Sequence, residues 1–455
     1  MTAEIADEIL NAVPARVAAH YTVFPAGIEQ GVLRVLVPED LGRELKDELG
    51  VALGRALKFE PVPRRLIEDS IAKFYGIGAG VIEALTLGQQ ASDEEGVEVI
   101  DTIANQDPTI TTLVNELFMD ALKHRASDIH LEPFAKRLRI RYRVDGILQD
   151  ARISEGVRIL APNLISRIKI MAALDIGEKR LPQDGRIKIR QGAEELDLRV
   201  SVLPSSFGEA VVVRILKSLE LLSLEDLGFD PHGTAAIRGF LSKPHGIVLI
   251  TGPTGSGKTT TLYACLKELN QTERKIVTVE DPVEYKLPGV LQMQVNPKIK
   301  FTFVPALRAI LRHDPDCIMI GEIRDFETAQ IAVRAALTGH LVFSTLHTND
   351  APSALTRLVE MGVEPYLAAS ALEGVIAQRL VRRYGRDGEF HGRLAIAEIM
   401  PLTDEIRDLV LERKAGSAIR KTALGNGMRS LYEDGLERVS RGLTSEEEIR
   451  RRIKK

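Results

Sequence analysis

The sequence predicts an α/β protein of several domains, the largest of them built on a parallel sheet covered by helices on both faces. Three observations carry that prediction. Apolar runs without alternation recur at 246–250 (GIVLI), 275–279 (KIVTV), 316–320 (DCIMI) and 340–344 (HLVFS), with helix-like segments between them. Such runs belong to strands buried on both faces, the mark of a parallel sheet with helical crossovers. Between 137 and 149, and again between 186 and 203, apolar and charged residues alternate instead, as in strands with one wet face. Finally, 455 residues exceed what one hydrophobic core organises.

Taken in order, residues 1–78 read as a small α/β unit. YTVFPAGIEQGVLRVLVPED (21–40) gives strand, turn and strand, an amphipathic helix follows from about Leu41, and Gly76 to Gly80 punctuate the end. ASDEEGVEVID (91–101) is acidic and poor in large apolar residues, so 79–101 reads as a linker. Residues 102–222 read as an α+β unit. Leu113, Val114, Leu117, Phe118 and Leu122 fall at helical spacing behind Asp107 and Pro108, a helix start. RLRIRYRVDGILQ (137–149) then alternates around Asp145 and Gly146, a hairpin signal, and 186–203 repeats the pattern. Residues 223–455 hold the buried runs up to about 400 and helical pattern beyond, ending in the basic IRRRIKK, read as a solvated helix end.

Charge and composition narrow the function. Lys and Arg total 60 against 64 Asp and Glu, well mixed, for a net charge of -4. A protein that binds nucleic acid over a whole domain usually leaves that domain strongly basic, so no nucleic-acid partner is expected. The N-terminus MTAEIADEILNAVP lacks a basic region followed by an apolar stretch, and no run reaches the roughly 18 apolar residues that span a bilayer. The expectation is a cytoplasmic protein with peripheral membrane contact only. Cys265 and Cys317 are too few for a disulfide framework or an all-cysteine zinc site and read as small core residues.

The strongest chemical signal is GIVLITGPTGSGKTTTLYACL (246–266): a buried strand, a glycine loop and a helix start. It matches G-x-x-x-x-G-K-[ST] from Gly252 through Pro253, Thr254, Gly255, Ser256, Gly257 and Lys258 to Thr259, with Thr260 next in the helix. The glycines let successive backbone N–H groups turn inward around anionic oxygens, and the helix adds its positive end. Lys258 is expected to reach the β- and γ-phosphates of ATP, and the Thr259 hydroxyl to join the Mg²⁺ shell.

Acids and histidines follow on later strands. VTVEDPVEY (277–285) places Glu280, Asp281 and Glu284 at the carboxyl end of a buried run, where open α/β sheets meet their ligands. A solvated acidic loop is the plainer alternative. CIMIGEIRD (317–325) places Glu322 likewise, and Glu322 is the first choice to orient the attacking water. Because Gly321 precedes it where the usual motif has aspartate, Asp281 or Glu280 is expected to contact the Mg²⁺ water shell. TGHLVFSTLHTNDA (338–351) supplies His340 and His347, whose spacing across a strand is not a helical zinc pair. Hydrogen bonding to the acids or the γ-phosphate is expected of them, and no zinc.

These motifs together resemble one family, the type II secretion and type IV pilus assembly ATPases. The resemblance covers about 100 to 445. It rests on ASDIHLEP (126–133), RYRVDG (141–146), RIKIMAALDIGEKRLPQDGRI (167–187), GPTGSGKTT, TVEDPVEY, LRHDPDCIMIGEIRD, the histidine segment and GMRSLYEDGLERVSRGLTSEEEIRRR (427–452). It implies a RecA-like P-loop motor domain behind a PAS-like middle domain, a homo-hexameric ring, and nucleotide held between the two domains. It also implies docking on an inner-membrane platform protein and on the cytoplasmic domain of a membrane-anchored secretion component. Arg199, Arg214, Arg308 and Arg324 best match the arginines that close on phosphate in such proteins; strand-face arginines in ordinary ion pairs are the alternative. Where many members carry a four-cysteine zinc module, IAQRLVRRYGRDGEFHGRLAIAEIM (376–400) has a short loop and no cysteine. The function implied is an ATPase energising type II secretion, with pilus assembly and, further off, retraction or DNA uptake as alternatives.

Overall fold

The computed structural model describes residues 7–39, 41–78, 98–99, 108–191, 194–216 and 222–453. Of the expected linker only Glu98 and Val99 are among them, and Asp107 lies outside them. The chain forms two compact units, Met1–Ser218 and Leu219–Lys455.

The first unit begins with a three-stranded sheet in the order β1 (Phe24–Glu29), β2 (Val32–Pro38), β3 (Leu57–Val62). β1 and β2 form an antiparallel hairpin, whereas β2 and β3 run parallel and are joined through the helix Arg43–Leu53. Val35, Val37, Leu49 and Ile67 are fully buried in its core, and the Tyr75 hydroxyl donates 2.6 Å to the Val13 carbonyl.

A seven-stranded antiparallel sheet follows. Its order is β4 (Glu98–Val99), β8 (Gln183–Gln191), β9 (Glu194–Ser205), β10 (Gly208–Leu216), β5 (Asp128–Pro133), β6 (Leu138–Val144), β7 (Ile147–Asp150). Asp145 and Gly146, both at positive φ, turn β6 into β7. The alternation places Ile129, Leu131, Ile140, Leu198, Val200 and Val211 inward. Against them pack Leu113, Val114, Leu117 and Phe118 of the helix Pro108–Lys123 and Leu164 and Ile168 of the helix Ala161–Met171. A charged pair is sunk in this layer. Lys169 is wholly buried, and its Nζ donates to Glu209 Oε1 at 2.8 Å and to the Glu178 carbonyl at 2.7 Å.

The second unit is a seven-stranded sheet in the order β13 (Leu291–Gln294), β12 (Ile276–Glu280), β14 (Cys317–Ile320), β15 (Leu341–Leu346), β11 (Gly246–Thr251), β16 (Leu372–Tyr384), β17 (Phe390–Pro401). All neighbours are parallel except β16 and β17, which form an antiparallel hairpin. Every residue of β11, β12, β14 and β15 is buried, because helices cover both faces. Cys265 and Cys317 are free and buried, and burial pushes the Cys317 thiol up to about 12. Beyond 401 come the helices Asp404–Leu411, Gly416–Gly425, Leu431–Ser440 and Glu446–Arg452. The long β16–β17 hairpin is a feature the sequence reading leaves out. Its first half is buried like the other central strands, but charges from Arg379 onward break the apolar run.

We predict that Lys169→Ala, which strands the Glu209 carboxylate, destabilises the first unit by about 3 kcal/mol. Urea unfolding followed by hydrogen exchange in β8–β10 reads this directly, and a loss under about 1 kcal/mol would show the pair to be dispensable.

A candidate nucleotide-binding site

The site grows from the carboxyl end of β11. After Thr251 the chain turns through 252–257 and enters the helix Lys258–Leu269. Two of its glycines are sterically required. A Cβ on Gly252 would lie 2.5 Å from Ser256 Oγ and 2.6 Å from the Gln378 carbonyl, and Gly252 sits at φ 149. Gly257 caps the helix at φ 87, where a Cβ would meet Gln378 Nε2 at 2.9 Å. Both are closures that only glycine permits.

Lys258 is 9% exposed, and its Nζ donates to the Gly252 and Pro253 carbonyls at 2.8 and 3.2 Å. Burial lowers its pKa, opposed by the Glu322 carboxylate and aided by the Arg379 charge. Ser256 Oγ is buried without a hydrogen-bond partner among the described residues. Pro253, Thr254, Gly255 and Thr259 are exposed, and Thr260 is half-buried. A cation, a helix N-terminus and an unused hydroxyl thus bound one open loop, a donor set suited to phosphate oxygens.

Glu322 lies two residues past β14, which is held to β15 by hydroxyls in its interior. Ser344 Oγ donates to the Ile320 carbonyl at 2.9 Å, Thr345 Oγ1 to the Gly321 carbonyl at 2.7 Å, and the Ile323 amide to the Thr345 carbonyl at 3.0 Å. The Glu322 carboxylate accepts from Arg324 and has His347 Nε2 at 3.3 Å. Burial alone pushes this carboxyl up, yet the hydrogen bonds and charges of Arg324 and His347 outweigh it, and its pKa lies below the ordinary value. Exposed Asp281 lies close enough to Arg324 to raise the guanidinium's pKa, after the larger effect of Glu322. At the base, Thr251 Oγ1 lies 2.7 Å from Thr348 Oγ1 and accepts the Thr348 amide at 2.9 Å, tying the glycine loop to the segment after His347.

The fold therefore gathers Lys258, Thr259, Glu322, Arg324, His347 and Asp281 around the carboxyl ends of β11, β12, β14 and β15. Two expectations need correction. His340 precedes β15 and sits at the amino end of the sheet, where its Nδ1 lies 2.8 Å from the Ala335 carbonyl. That is roughly 20 Å along the strand from His347, so it does not face the loop. Glu280 is 3% exposed, and both its oxygens are already engaged, Oε2 by the Tyr263 hydroxyl and Oε1 by Thr278 Oγ1 at 2.6 Å and Gln292 Nε2 at 3.2 Å. Burial raises its pKa against the lowering effect of those hydrogen bonds, and with both oxygens taken a Mg²⁺ water shell is not its partner in this conformation. Glu284 is half-buried beside Tyr263, which accepts its amide at 3.3 Å.

The arginines divide. Arg324 belongs to the site, whereas exposed Arg308 pairs with Glu327. Arg199 and Arg214 are cross-strand neighbours on β9 and β10 of the first unit, where Arg214 Nε donates to Asp128 Oδ1 at 2.8 Å.

Two residues escape the sequence reading. Gln378 of β16 is 1% exposed; its Nε2 donates to the Ser256 carbonyl at 2.9 Å and its Oε1 accepts from Thr261 Oγ1 at 2.7 Å. Its neighbour Arg379 donates to the Asn349 carbonyl at 2.9 Å. A lone glutamine inside the apolar run GVIAQRLV was the available signal.

Among the described residues no three His, Cys, Asp or Glu side chains gather around a metal-sized space. Mg²⁺ in a phosphate site needs few protein ligands, since phosphate and water complete its octahedron. The exposed Thr259 hydroxyl in the first helical turn and exposed Asp281 fit that role.

A family model described as type II/IV secretion system protein matches residues 103–451. The chain belongs to that family. It is 43% identical to a type II secretion system protein E of Xanthomonas campestris pv. campestris, covering 96% of this chain and 84% of that one. It is 40% identical to the type IV pilus assembly ATPase PilB of Myxococcus xanthus, covering 98% and 87%. Among solved structures, the pilus retraction motor PilT with bound ADP superposes with a TM-score of 0.55 at 30% identity, covering 75% of this chain and 96% of that one. For this type II/IV secretion system family member, the second unit is accordingly a RecA-like motor fold.

We expect Gln378→Leu to stay folded but to weaken ATP binding about tenfold, because the Ser256 carbonyl and the Thr261 hydroxyl lose their buried partner. Calorimetric titration checks this, and unchanged affinity would remove Gln378 from the site.

Proposed function

We propose that the protein is an ATP-hydrolysing motor that energises type II protein secretion as a homo-hexamer at the cytoplasmic face of the inner membrane. The observation that carries this reading is the convergence of Lys258, Glu322 and His347 at the ends of β11, β14 and β15. The 43% identity to a type II secretion protein E over 96% of the chain supports the pathway. Among the described residues no helix is long and apolar enough to cross a membrane. The expected partners are the inner-membrane platform protein and the cytoplasmic domain of a membrane-anchored secretion component, with no nucleic acid.

In the proposed reaction the loop amides of 252–259 surround the phosphates, and Lys258 exchanges the Gly252 and Pro253 carbonyls for β- and γ-phosphate oxygens. Thr259, with Asp281 beside the water shell, would hold Mg²⁺, and that ion would supply charge neutralisation at the phosphates. Glu322, kept ionised by Arg324 and His347, orients the attacking water and accepts hydrogen bonds from it. Glu284 is a further acid for this shell. Arg199 and Arg214 are proposed from the family resemblance to close on the phosphates, and Arg324 to stabilise developing charge.

Lys258→Ala should give a folded protein without ATPase activity, and full turnover in that variant would remove the site assignment. Glu322→Gln should bind ATP normally but hydrolyse it roughly 100-fold more slowly.

Pilus assembly is the second reading, favoured by the 40% identity to PilB over 98% of the chain. Disrupting the gene separates the two. Loss of secreted enzymes from the medium with fibres intact supports type II secretion, and loss of surface fibres with secretion intact supports pilus assembly.

A further inference from the structure

One buried hydroxyl links the glycine-loop helix to the acidic segment after β12. Tyr263 lies five residues beyond Lys258, about one and a half turns along the helix, and is 2% exposed. Its hydroxyl donates to Glu280 Oε2. The Tyr263 phenolic oxygen in turn faces the amides of Glu284 at 3.3 Å and Tyr285 at 3.4 Å and Gln292 Nε2 at 3.3 Å, which share its lone pairs. Gln292, on the edge strand β13, closes the network. Its Nε2 donates to Glu280 Oε1 at 3.2 Å and to the Tyr285 carbonyl at 2.8 Å, while its Oε1 accepts the Leu287 amide at 2.7 Å. The rings of Tyr263 and Tyr285 meet edge to face at 5.3 Å.

The segment 281–287 thus has four of its backbone amides held by three side chains, Tyr263 on the helix and Gln292 and Gln294 on β13. Asp281 and Glu284 ride on that segment. A helix that tilts or advances when phosphate occupies its N-terminus must carry Tyr263 with it, and the hydroxyl transmits the movement to both acids. The Tyr263–Tyr285 ring contact also joins helix and segment, but it leaves the Glu284 and Tyr285 amides and the Glu280 carboxylate to the hydroxyl.

We propose that Tyr263 is a positioning residue that sets Asp281 and Glu284 for turnover in response to nucleotide at the loop, with Gln292 as the second half of the clasp. This rests on the phosphate-site reading above.

The test uses the full chain and Tyr263→Phe, which keeps the ring and removes the hydroxyl. The expected result is ATP-analogue affinity within about twofold of the parent and kcat at least about tenfold lower. Gln292→Met should lower kcat in the same direction, and the double variant should lose no more than the worse single one, since both act through one segment. The proposal is overturned if Tyr263→Phe keeps kcat within about twofold, or if affinity and kcat fall together in step with thermal stability. Should Tyr263→Phe fail to fold, Gln292→Met decides on the same criteria. A parent chain that binds no ATP would instead refute the phosphate-site reading, which separates the two failures.

Discussion

The approach of Gly252 to the Gln378 backbone is the constraint on which the site depends. It brings the end of β11 against β16 so closely that no side chain fits between them. The loop that follows arches over the strand ends, with Lys258 Nζ drawn inside it onto the Gly252 and Pro253 carbonyls. Gln378 then supports the arch from below through the Ser256 carbonyl and Thr261. The parallel order of the central strands places every other contributor at the same edge. Glu322 follows β14, His347 follows β15 and Asp281 follows β12, all at carboxyl ends.

Hydroxyls inside β15 explain why the acid side of the site holds its shape. Ser344 and Thr345 pair with carbonyls of β14 and of Gly321 rather than with water, so Glu322 is presented from a fixed backbone. Arg324 and His347 then compete with burial for its proton and win. Lys258 is poised the opposite way, with burial disfavouring its charge and its own loop carbonyls occupying it. An anion entering the loop would relieve both conditions at once, a physical reason for this arrangement to favour phosphate.

Much of this was legible because buried parallel strands announce themselves as unbroken apolar runs, and the glycine loop sits between such a run and a helix. The alternating strands of the first unit were legible for the complementary reason, since one face of that sheet is wet. What sequence could not resolve was direction and facing. His340 and His347 occupy one short segment, yet the six residues of β15 between them put them at opposite ends of the sheet. Glu280, Asp281 and Glu284 look equivalent in TVEDPVEY. The first is drawn inward to Tyr263, a partner 17 residues away that no local pattern reveals. Gln378 and Arg379 were missed because their partners lie across the sheet, in loops more than 25 residues distant.

Lys258 is held by its own loop carbonyls, and in the proposed function phosphate takes their place. A crystal structure of the full chain with Mg²⁺ and a non-hydrolysable ATP analogue tests this most directly. The prediction is that the β- and γ-phosphates lie within 252–259 and that Lys258 Nζ has left the Gly252 and Pro253 carbonyls for phosphate oxygens. An analogue bound elsewhere, with Lys258 still on those carbonyls, would contradict it.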